Sequence, residues 1–334
     1  MKIAVVGAGA IGGLVGGYLK LKGHDVSLVA RRDAAAKINK EGLRLSGVRG
    51  DFKVDIRASE RLEQEPDLVI LATKTQDTES AIKDNLKSMS RSIVFMTQNG
   101  IRADRIAASF IPRKSVVSSI VMFGATSLAP GEVVHNFEGS WIIGSFSPDN
   151  SDELKRLERV LSDAFTVSIA DEISGMKYLK IFINANNCIP AILGKSMQES
   201  FSDIETSKIS IAIWSEGLKV IQGAGIKLVS LPDFPLERLH SLVSLPIDEA
   251  AKIFSGIMGG LSKEPLYGSI LQSIKRKKNS EIDYINGEFV SLARECNTRA
   301  PLNQKLVEMV HEVERTQRFF TSEELFDNTR GLIG

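Results

Sequence analysis

The sequence predicts an α/β fold in two parts, an N-terminal doubly wound parallel sheet followed by an all-α C-terminal domain. Three observations carry this. A glycine-rich turn joins a β-rich run to a helix at the start of the chain, strand and helix patterns alternate up to about residue 125, and from about Ser174 the patterns are helical. At 334 residues the chain is too long for one ordinary core and comfortable for two. We place the domains at 1–172 and 173–330.

The first element is the most informative. Residues 2–29 read KIAVVGAGAIGGLVGGYLKLKGHDVSLV: an apolar run, a glycine turn, a helix with small residues on one face, and a second β-rich run. In that βαβ order the glycines have separate duties. Gly7 allows the tight turn, Gly9 lets a pyrophosphate approach the backbone, and Gly12 lets the helix lie close on the strand. An anion then sits at the helix N-terminus, beside Ala10 and Ile11, where N–H groups and the macrodipole favour it. Gly13, Gly16 and Gly17 read as helix–sheet packing.

The second run ends SLVARRD, at the distance where NAD-selective folds place an acid for the ribose 2′-hydroxyl. Ala30, Arg31 and Arg32 stand there instead. Guanidinium groups match a phosphate by charge and fork geometry, so NADP is preferred over NAD, with Arg31 as the candidate.

Further strands are expected at DLVILAT (67–73), SIVFMT (92–97) and SVVSSIVMFGA (115–125). Ligands bind such sheets beyond the carboxyl ends of the strands, and two of these ends carry Lys74 and Asn99-Gly100. The stretch TSLAPGEVVHNFEGSWIIGSF (126–146) reads as β-structure extending the sheet, with Pro130-Gly131 as a turn and His135 as structural.

In the second half, LPDFPLE (231–237), SLPIDEA (244–250) and KEPLYG (263–268) punctuate helices, and no repeat of fixed period is evident. One stretch is chemically odd. KIFINANNCIPAIL (180–193) has the apolar density of a buried helix yet carries Lys180, Asn184, Asn186 and Asn187. Unpaired, each buried amide costs roughly 1–3 kcal/mol, and a buried ammonium more. Lys180 and Asn184 are four apart and share a helix face, with Asn187 within reach. A buried structural network and a ligand-facing stripe both fit that spacing. Near the other end, Asn279-Ser280 can cap a helix beginning near Glu281 and turning Ile282, Ile285 and Phe289 to the core. Glu281 in such a first turn would complement the helix dipole or serve a site.

Composition narrows the partners. With 42 basic and 41 acidic residues the net charge is +1, which gives no electrostatic footprint for nucleic acid or an anionic membrane. The one basic run, Lys275-Arg276-Lys277-Lys278, reads as a solvated helix face. Cys188 and Cys296 are too few and too far apart for a disulfide framework, so a reducing compartment is expected. The first strand begins at Lys2, which leaves no room for a signal peptide, and no apolar run approaches a bilayer span, so a cytoplasmic protein is expected. His24, His135, His240 and His311 lie at no metal-ligand spacing, so no metal is expected. The apolar helical half could supply a homodimer interface.

The blocks GAGAIG, TKTQDT, QNGI, APGEVVHNFEGSWIIG, YLKIFINANN and SILQSIKRKKNSEIDYINGEFV, in that order and spacing, resemble the ketopantoate reductase (2-dehydropantoate 2-reductase) family over nearly the whole chain. The run EIDYING is the most specific of them. The resemblance implies an N-terminal Rossmann domain and a helical C-terminal domain that use NADPH to reduce a small-molecule ketoacid, 2-ketopantoate, to pantoate on the route to coenzyme A. Carried over by position, it implies Lys180 as general acid, Asn99 and Asn184 positioning the substrate, Ser269 and Glu281 binding its oxygens, and Lys74 between cofactor and substrate.

The chain departs from that pattern in the substrate half. Cys188 stands where the family commonly has a second asparagine, with Asn187 beside it, and Tyr178 replaces a usual tryptophan. Ser269-Ile270 and Gln272-Ser273 stand where Ser-Met and Gln-Asp are frequent. These departures favour a relative acting on a different 2-ketoacid as the alternative to ketopantoate itself. A non-catalytic NADPH-binding sensor is the alternative from another class, since this fold hosts many functions.

Overall fold

The computed structural model describes residues 1–145, 150–262 and 264–333. Phe146 at the end of the expected β-rich stretch and Lys263 in KEPLYG therefore lie outside the described residues. The chain divides into two compact units, Met1–Ser174 and Gly175–Gly334.

Unit 1 runs β1 (Lys2–Val6), α1 (Ala10–Leu21), β2 (Asp25–Val29), α2 (Arg32–Glu41), β3 (Leu43–Gly47), β4 (Phe52–Val54) and β5 (Arg57–Ser59). It continues with β6 (Leu68–Leu71), α3 (Thr78–Met89), β7 (Ile93–Met96), α4 (Arg102–Phe110) and β8 (Val116–Val121). It closes with β9 (Gly124–Ala129), β10 (Glu132–Phe137), β11 (Ser140–Ser145), α5 (Ser151–Ser162) and β12 (Thr166–Ile169). The main sheet has the order β5-β2-β1-β6-β7-β8-β11-β12. Its first six strands are parallel, in the dinucleotide-binding order, and the strand order reverses between β1 and β6. β11 runs antiparallel to β8 and parallel to β12.

Strand alternation divides the core between two faces of this sheet. Ile3, Val5, Leu28, Ile70 and Phe95 pack with α1 and α5, while Val6, Val29, Leu71, Val94 and Met96 pack with α3 and α4. All ten are 7% exposed or less, which for side chains of this size stabilises by about 1.5–3 kcal/mol each.

The stretch 126–146 does not simply extend the sheet. β9 and β10 instead join β3 and β4 in a separate four-stranded sheet, order β4-β3-β10-β9, and only β11 returns to the main one. The second sheet lies on the far side of α1, and the helix is built to be covered twice. A Cβ at Gly16 would come within 2.6 Å of Leu28 on the main sheet, whereas at Gly13 and Gly17 it would come within 2.9 Å of Val133 and 2.7 Å of Leu45 on the second. His135, fully buried in β10, meets the Tyr18 hydroxyl through Nδ1 at 3.1 Å, and burial lowers its pKa.

The helices continue with α6 (Ile173–Ala185), whose first two residues belong to unit 1. They go on with α7 (Cys188–Leu193), α8 (Met197–Phe201), α9 (Ile204–Gly223), α10 (Leu236–Ser244) and α11 (Ile247–Gly259). α12 (Ser269–Lys275), α13 (Asn286–Glu295), α14 (Pro301–Thr316) and α15 (Ser322–Thr329) complete unit 2. α9 is its central post: Gly217 opens a space in which a Cβ would be 2.9 Å from both Phe182 and Phe289, whose rings pack 4.9 Å apart. Of the basic run only Lys275 is helical; Arg276, Lys277 and Lys278 follow the end of α12, and all four are exposed. No helix among the described residues is long and apolar enough to cross a membrane.

Candidate active site

In unit 1 the candidate groups gather at one edge of the sheet, because parallel strands deliver their carboxyl ends together. Gly7 follows β1 with a φ of +105°, which an L side chain rarely adopts, and a Cβ there would sit 2.8 Å from the Thr73 nitrogen beyond β6. A Cβ on Gly12 would lie 2.0 Å from the Gly7 carbonyl oxygen, so α1 can begin where it does only with glycine at that position. Gly9 is different. It precedes α1, and a Cβ there would meet nothing within 4 Å. The first helical hydrogen bond runs from Gly13 N–H to the Gly9 carbonyl, so the N–H groups of Ala10, Ile11 and Gly12 precede the ladder.

Arg31 is the N-cap of α2, with one residue, Ala30, between it and the end of β2. It is exposed and makes no ion pair among the described residues, whereas Arg32 donates through Nε to Glu60 at 2.9 Å. Only the first of the two arginines is therefore uncommitted. Lys74 and Asn99, both partly exposed, follow β6 and β7. Sequence reasoning missed the residue that holds their loops together. Gln98, 5% exposed, donates through Nε2 to the carbonyls of Leu71 and Thr73, both at 3.0 Å, and accepts from Thr97 N–H at 3.1 Å. Its sequence signals are its place beside Asn99 and at the head of the block QNGI, neither of which tells its role.

In unit 2 the helix α6 stops at Ala185 and restarts as α7. Pro190 is the cause, since its missing N–H cannot bond to the Asn186 carbonyl, and Ile189 N–H takes that oxygen at 3.2 Å instead. Trp214 Nε1 donates to the Phe182 carbonyl at 2.7 Å and fixes the same turn from α9. From Gly175 to Leu193 all residues are buried except Lys180, Ile183, Asn184 and Asn187, which are partly exposed. The polar stripe expected from the spacing is thus the accessible face of an otherwise buried helix.

Lys180 keeps some exposed surface, yet its ammonium is desolvated. Burial first and the Lys177 cation second lower its pKa to about 7, against an opposing pull from the Glu281 carboxylate. Lys177 lies one helical turn back, is 2% exposed, and was not anticipated.

Glu281 does not open a helix. A 3-10 turn, Ile282–Tyr284, follows it, and Ile285 (φ −116°, ψ −89°) breaks the path before α13 begins. The cap expected of Ser280 exists in a local form, with Ile282 N–H donating to its hydroxyl at 3.3 Å. α14 clamps the turn on both sides of Glu281. Ser280 N–H donates to Glu314 at 2.6 Å, and His311 bridges Glu314 at 2.9 Å and Asp283 at 3.0 Å. Burial pulls the His311 pKa down, and the two carboxylates outweigh it, leaving a net rise.

Ser269 is exposed at the start of α12, and its carbonyl accepts from the Ser273 hydroxyl at 3.0 Å. The preceding Gly268 lies against Asn187, whose Cγ would be 3.1 Å from a Cβ there. Cys188 belongs to the other side of the helix. It is fully buried, its thiol pKa is raised by burial, and its Sγ lies 3.7 Å from Asn286 Nδ2. Asn286 also donates to Asn303 at 3.0 Å, and Asn303 with Leu302 donates to Glu216 at 2.8–3.0 Å. This buried network ties α7, α13, α14 and α9 together, and it explains why EIDYING carries an asparagine at its sixth position. Among the described residues no group of three or more His, Cys, Asp and Glu is arranged to hold a metal.

Comparison with known proteins matches this arrangement to one family. The family described as ketopantoate reductase PanE/ApbA matches residues 3–148, and its C-terminal counterpart matches residues 172–314. The 2-dehydropantoate 2-reductase of Pyrococcus abyssi is 30% identical over 91% of this chain and 94% of its own. That of Archaeoglobus fulgidus is 27% identical over 94% and 98%. Among solved structures, a PanE/ApbA family ketopantoate reductase from Ralstonia eutropha superposes with a TM-score of 0.80 at 25% identity, covering 95% of this chain and 99% of that one. A D-mandelate dehydrogenase with NADH and anilino(oxo)acetate reaches the same TM-score at 24% identity over the same shares. The chain belongs to the ketopantoate reductase family, a family of oxidoreductases.

Proposed function

We propose that this member of the family reduces 2-ketopantoate to pantoate with NADPH, with Lys180 as the general acid. The observation that carries the reading is Lys180 itself: a lysine on the accessible stripe of a buried helix, its pKa brought to about 7, with Glu281 close enough to act on it. A group that both holds and releases a proton near neutral pH suits a reaction that ends with an alcohol.

The residues of unit 1 fit a dinucleotide. Space stands open at Gly9, the first-turn N–H groups of α1 can take its pyrophosphate, and Arg31 is available for a 2′-phosphate. The reduced nicotinamide, when bound, supplies the hydride. Lys180 gives its proton to the ketone oxygen as charge develops there, and the Asn184 and Asn99 carboxamides donate hydrogen bonds that hold the substrate's oxygens. Ser269 offers a further donor, while Glu281 accepts from a substrate hydroxyl and keeps Lys180 cationic more often than burial alone would allow. Lys74 neutralises negative charge where the cofactor and substrate are both anionic.

A second reading, reduction of a different 2-ketoacid, rests on Ser273, which spends its hydroxyl on the Ser269 carbonyl instead of offering a carboxylate. The D-mandelate dehydrogenase with this fold shows that the fold alone fixes neither substrate nor cofactor. The departure at Cys188 carries less weight, because that side chain lies on the buried side of its helix.

The test is a steady-state assay of NADPH oxidation with 2-ketopantoate, run beside NADH and beside Lys180→Ala. Turnover that prefers NADPH and falls roughly 10²–10⁴-fold in the variant is the expected result. Near-normal turnover in the variant would remove Lys180 from its role. NADPH binding without turnover on any ketoacid would make the protein a sensor.

A further inference from the structure

Three of the four accessible residues between Gly175 and Leu193 are polar, Lys180 and Asn184 on α6 and Asn187 just after it, and the fourth is Ile183. The other isoleucines of this stretch, Ile181, Ile189 and Ile192, are at most 1% exposed. Ile183 alone is left on the face that carries Lys180, Asn184 and Asn187. At ~100° per residue it lies ~60° to one side of Lys180, while Asn184 lies ~40° to the other. The three side chains therefore fan out from one helix as cation in the middle, carboxamide on one shoulder and hydrocarbon on the other.

A 2-ketoacid has matching parts. Its planar carbonyl carbon bears an oxygen, a carboxylate and one organic substituent, spread in three directions. With the oxygen at Lys180 and the carboxylate on the amide shoulder, the substituent is directed to the remaining shoulder. We propose that Ile183 is a specificity-determining residue: it meets the substituent on C2 of the ketoacid and selects branched aliphatic groups over small or charged ones. The inference rests on the reductase reading above. A charged substituent would lose water against Ile183 with nothing to replace it, whereas an alkyl branch gains contact. One methylene in such a contact changes discrimination about 10- to 200-fold.

The experiment compares wild type, Ile183→Ala and Ile183→Val, each checked for folding by its thermal melt. It measures kcat/KM for pyruvate and 2-ketoisovalerate, and the binding of oxamate and N-isopropyl oxamate by calorimetry. The expected result is a fall of about tenfold in the branched-to-small ratio for Ile183→Ala, in both kcat/KM and affinity, and a smaller fall in the same direction for Ile183→Val. Equal losses on every compound, or no change in either ratio, would overturn the proposal. Should wild type turn over neither of these ketoacids nor 2-ketopantoate while the oxamates bind and their ratio follows residue 183, the reductase reading fails and the role of Ile183 stands. Should neither oxamate bind wild type, the role of Ile183 fails.

Discussion

Unit 1 and unit 2 each keep polar groups accessible in an otherwise buried setting, and they do it with different chemistry. In unit 1 much of the work falls to the backbone: glycines at positions 7 and 12 let strand and helix come close, Gly9 leaves open space, and N–H groups of α1 supply the polarity. In unit 2 the polarity is at the tips of long side chains held on one stripe of a buried helix, and its strength depends on what surrounds it. The first arrangement is set by steric exclusion and tolerates no added atoms at Gly7 or Gly12. The second is set by electrostatics and can be tuned by charges that never touch the ligand. Each design should therefore fail in its own way.

The largest expected effect separates two glycines that the sequence motif treats alike. Gly12→Ala drives a methyl group into the Gly7 carbonyl at 2.0 Å, against backbone that cannot swing aside. It should destabilise the protein by about 3 kcal/mol, at the high end for overpacking, and abolish nucleotide binding. Gly9→Ala meets nothing within 4 Å. It should lose no more than about 1 kcal/mol, the usual cost of alanine at an N-cap, yet weaken NADPH binding at least about tenfold. Denaturant unfolding and cofactor titration on both variants read the two effects separately. Equal stability losses would mean that Gly9 serves packing and that the open space beside it is not for a ligand.

Lys180 gives the corresponding test in unit 2, through pH. If Lys180 is the general acid proposed above, its lowered pKa means that reduction should fall as pH rises through about 7. The Lys177 cation lowers that pKa and Glu281 raises it, so the two partners should move the limb of kcat/KM in opposite directions: upward in pH for Lys177→Met, downward for Glu281→Gln. A half-unit shift, about 0.7 kcal/mol, is the smallest the profile must resolve. A merely structural role for Lys177 would lower activity at every pH and leave the limb in place.

The same contrast explains how much of the molecule was legible beforehand. Small residues at fixed spacing in a βαβ unit announce close packing whatever the partner, so the glycine turn, the βαβ order and the roles of Gly13, Gly16 and Gly17 as packing residues could be read directly, although Gly13 and Gly17 meet the remote Val133 and Leu45. The second sheet could not. β10 pairs in parallel with β3, from Glu132 against Arg44 to His135 against Gly47, and local alternation carries no trace of a partner so remote. In unit 2 the period of four showed Lys180 and Asn184 on one face, but burial decided what that face means, and residues of α9 and α13 supply part of it, with Trp214, Gly217 and Phe289 all meeting Phe182. Gln98, Lys177 and the Glu216–Asn303–Asn286 network all act through other residues, so even where a quoted block contained one of them, as QNGI and EIDYING contain Gln98 and Asn286, it did not show the role. Glu281 was found by resemblance, while its local conformation was misjudged because the break at Ile285 depends on the clamp from α14.

The smallest expected effect concerns the one place where unit 1 relies on a side-chain charge. Arg31 and Arg32 are equivalent in the sequence, and the structure makes them unequal, since Arg32 is engaged with Glu60 while Arg31 has no ion pair among the described residues. A guanidinium already bonded to a carboxylate would have to give up that partner to reach a phosphate, whereas an uncommitted one gives up only water. Arg31→Ala should therefore reduce the preference for NADPH over NADH by about tenfold, and Arg32→Ala by less than about threefold. Neither change should alter the pH limb set by Lys180. If the preference follows Arg32 instead, its pairing with Glu60 exchanges readily for a phosphate, and cofactor choice in unit 1 is then governed, like the pKa of Lys180 in unit 2, by competition among neighbouring charges.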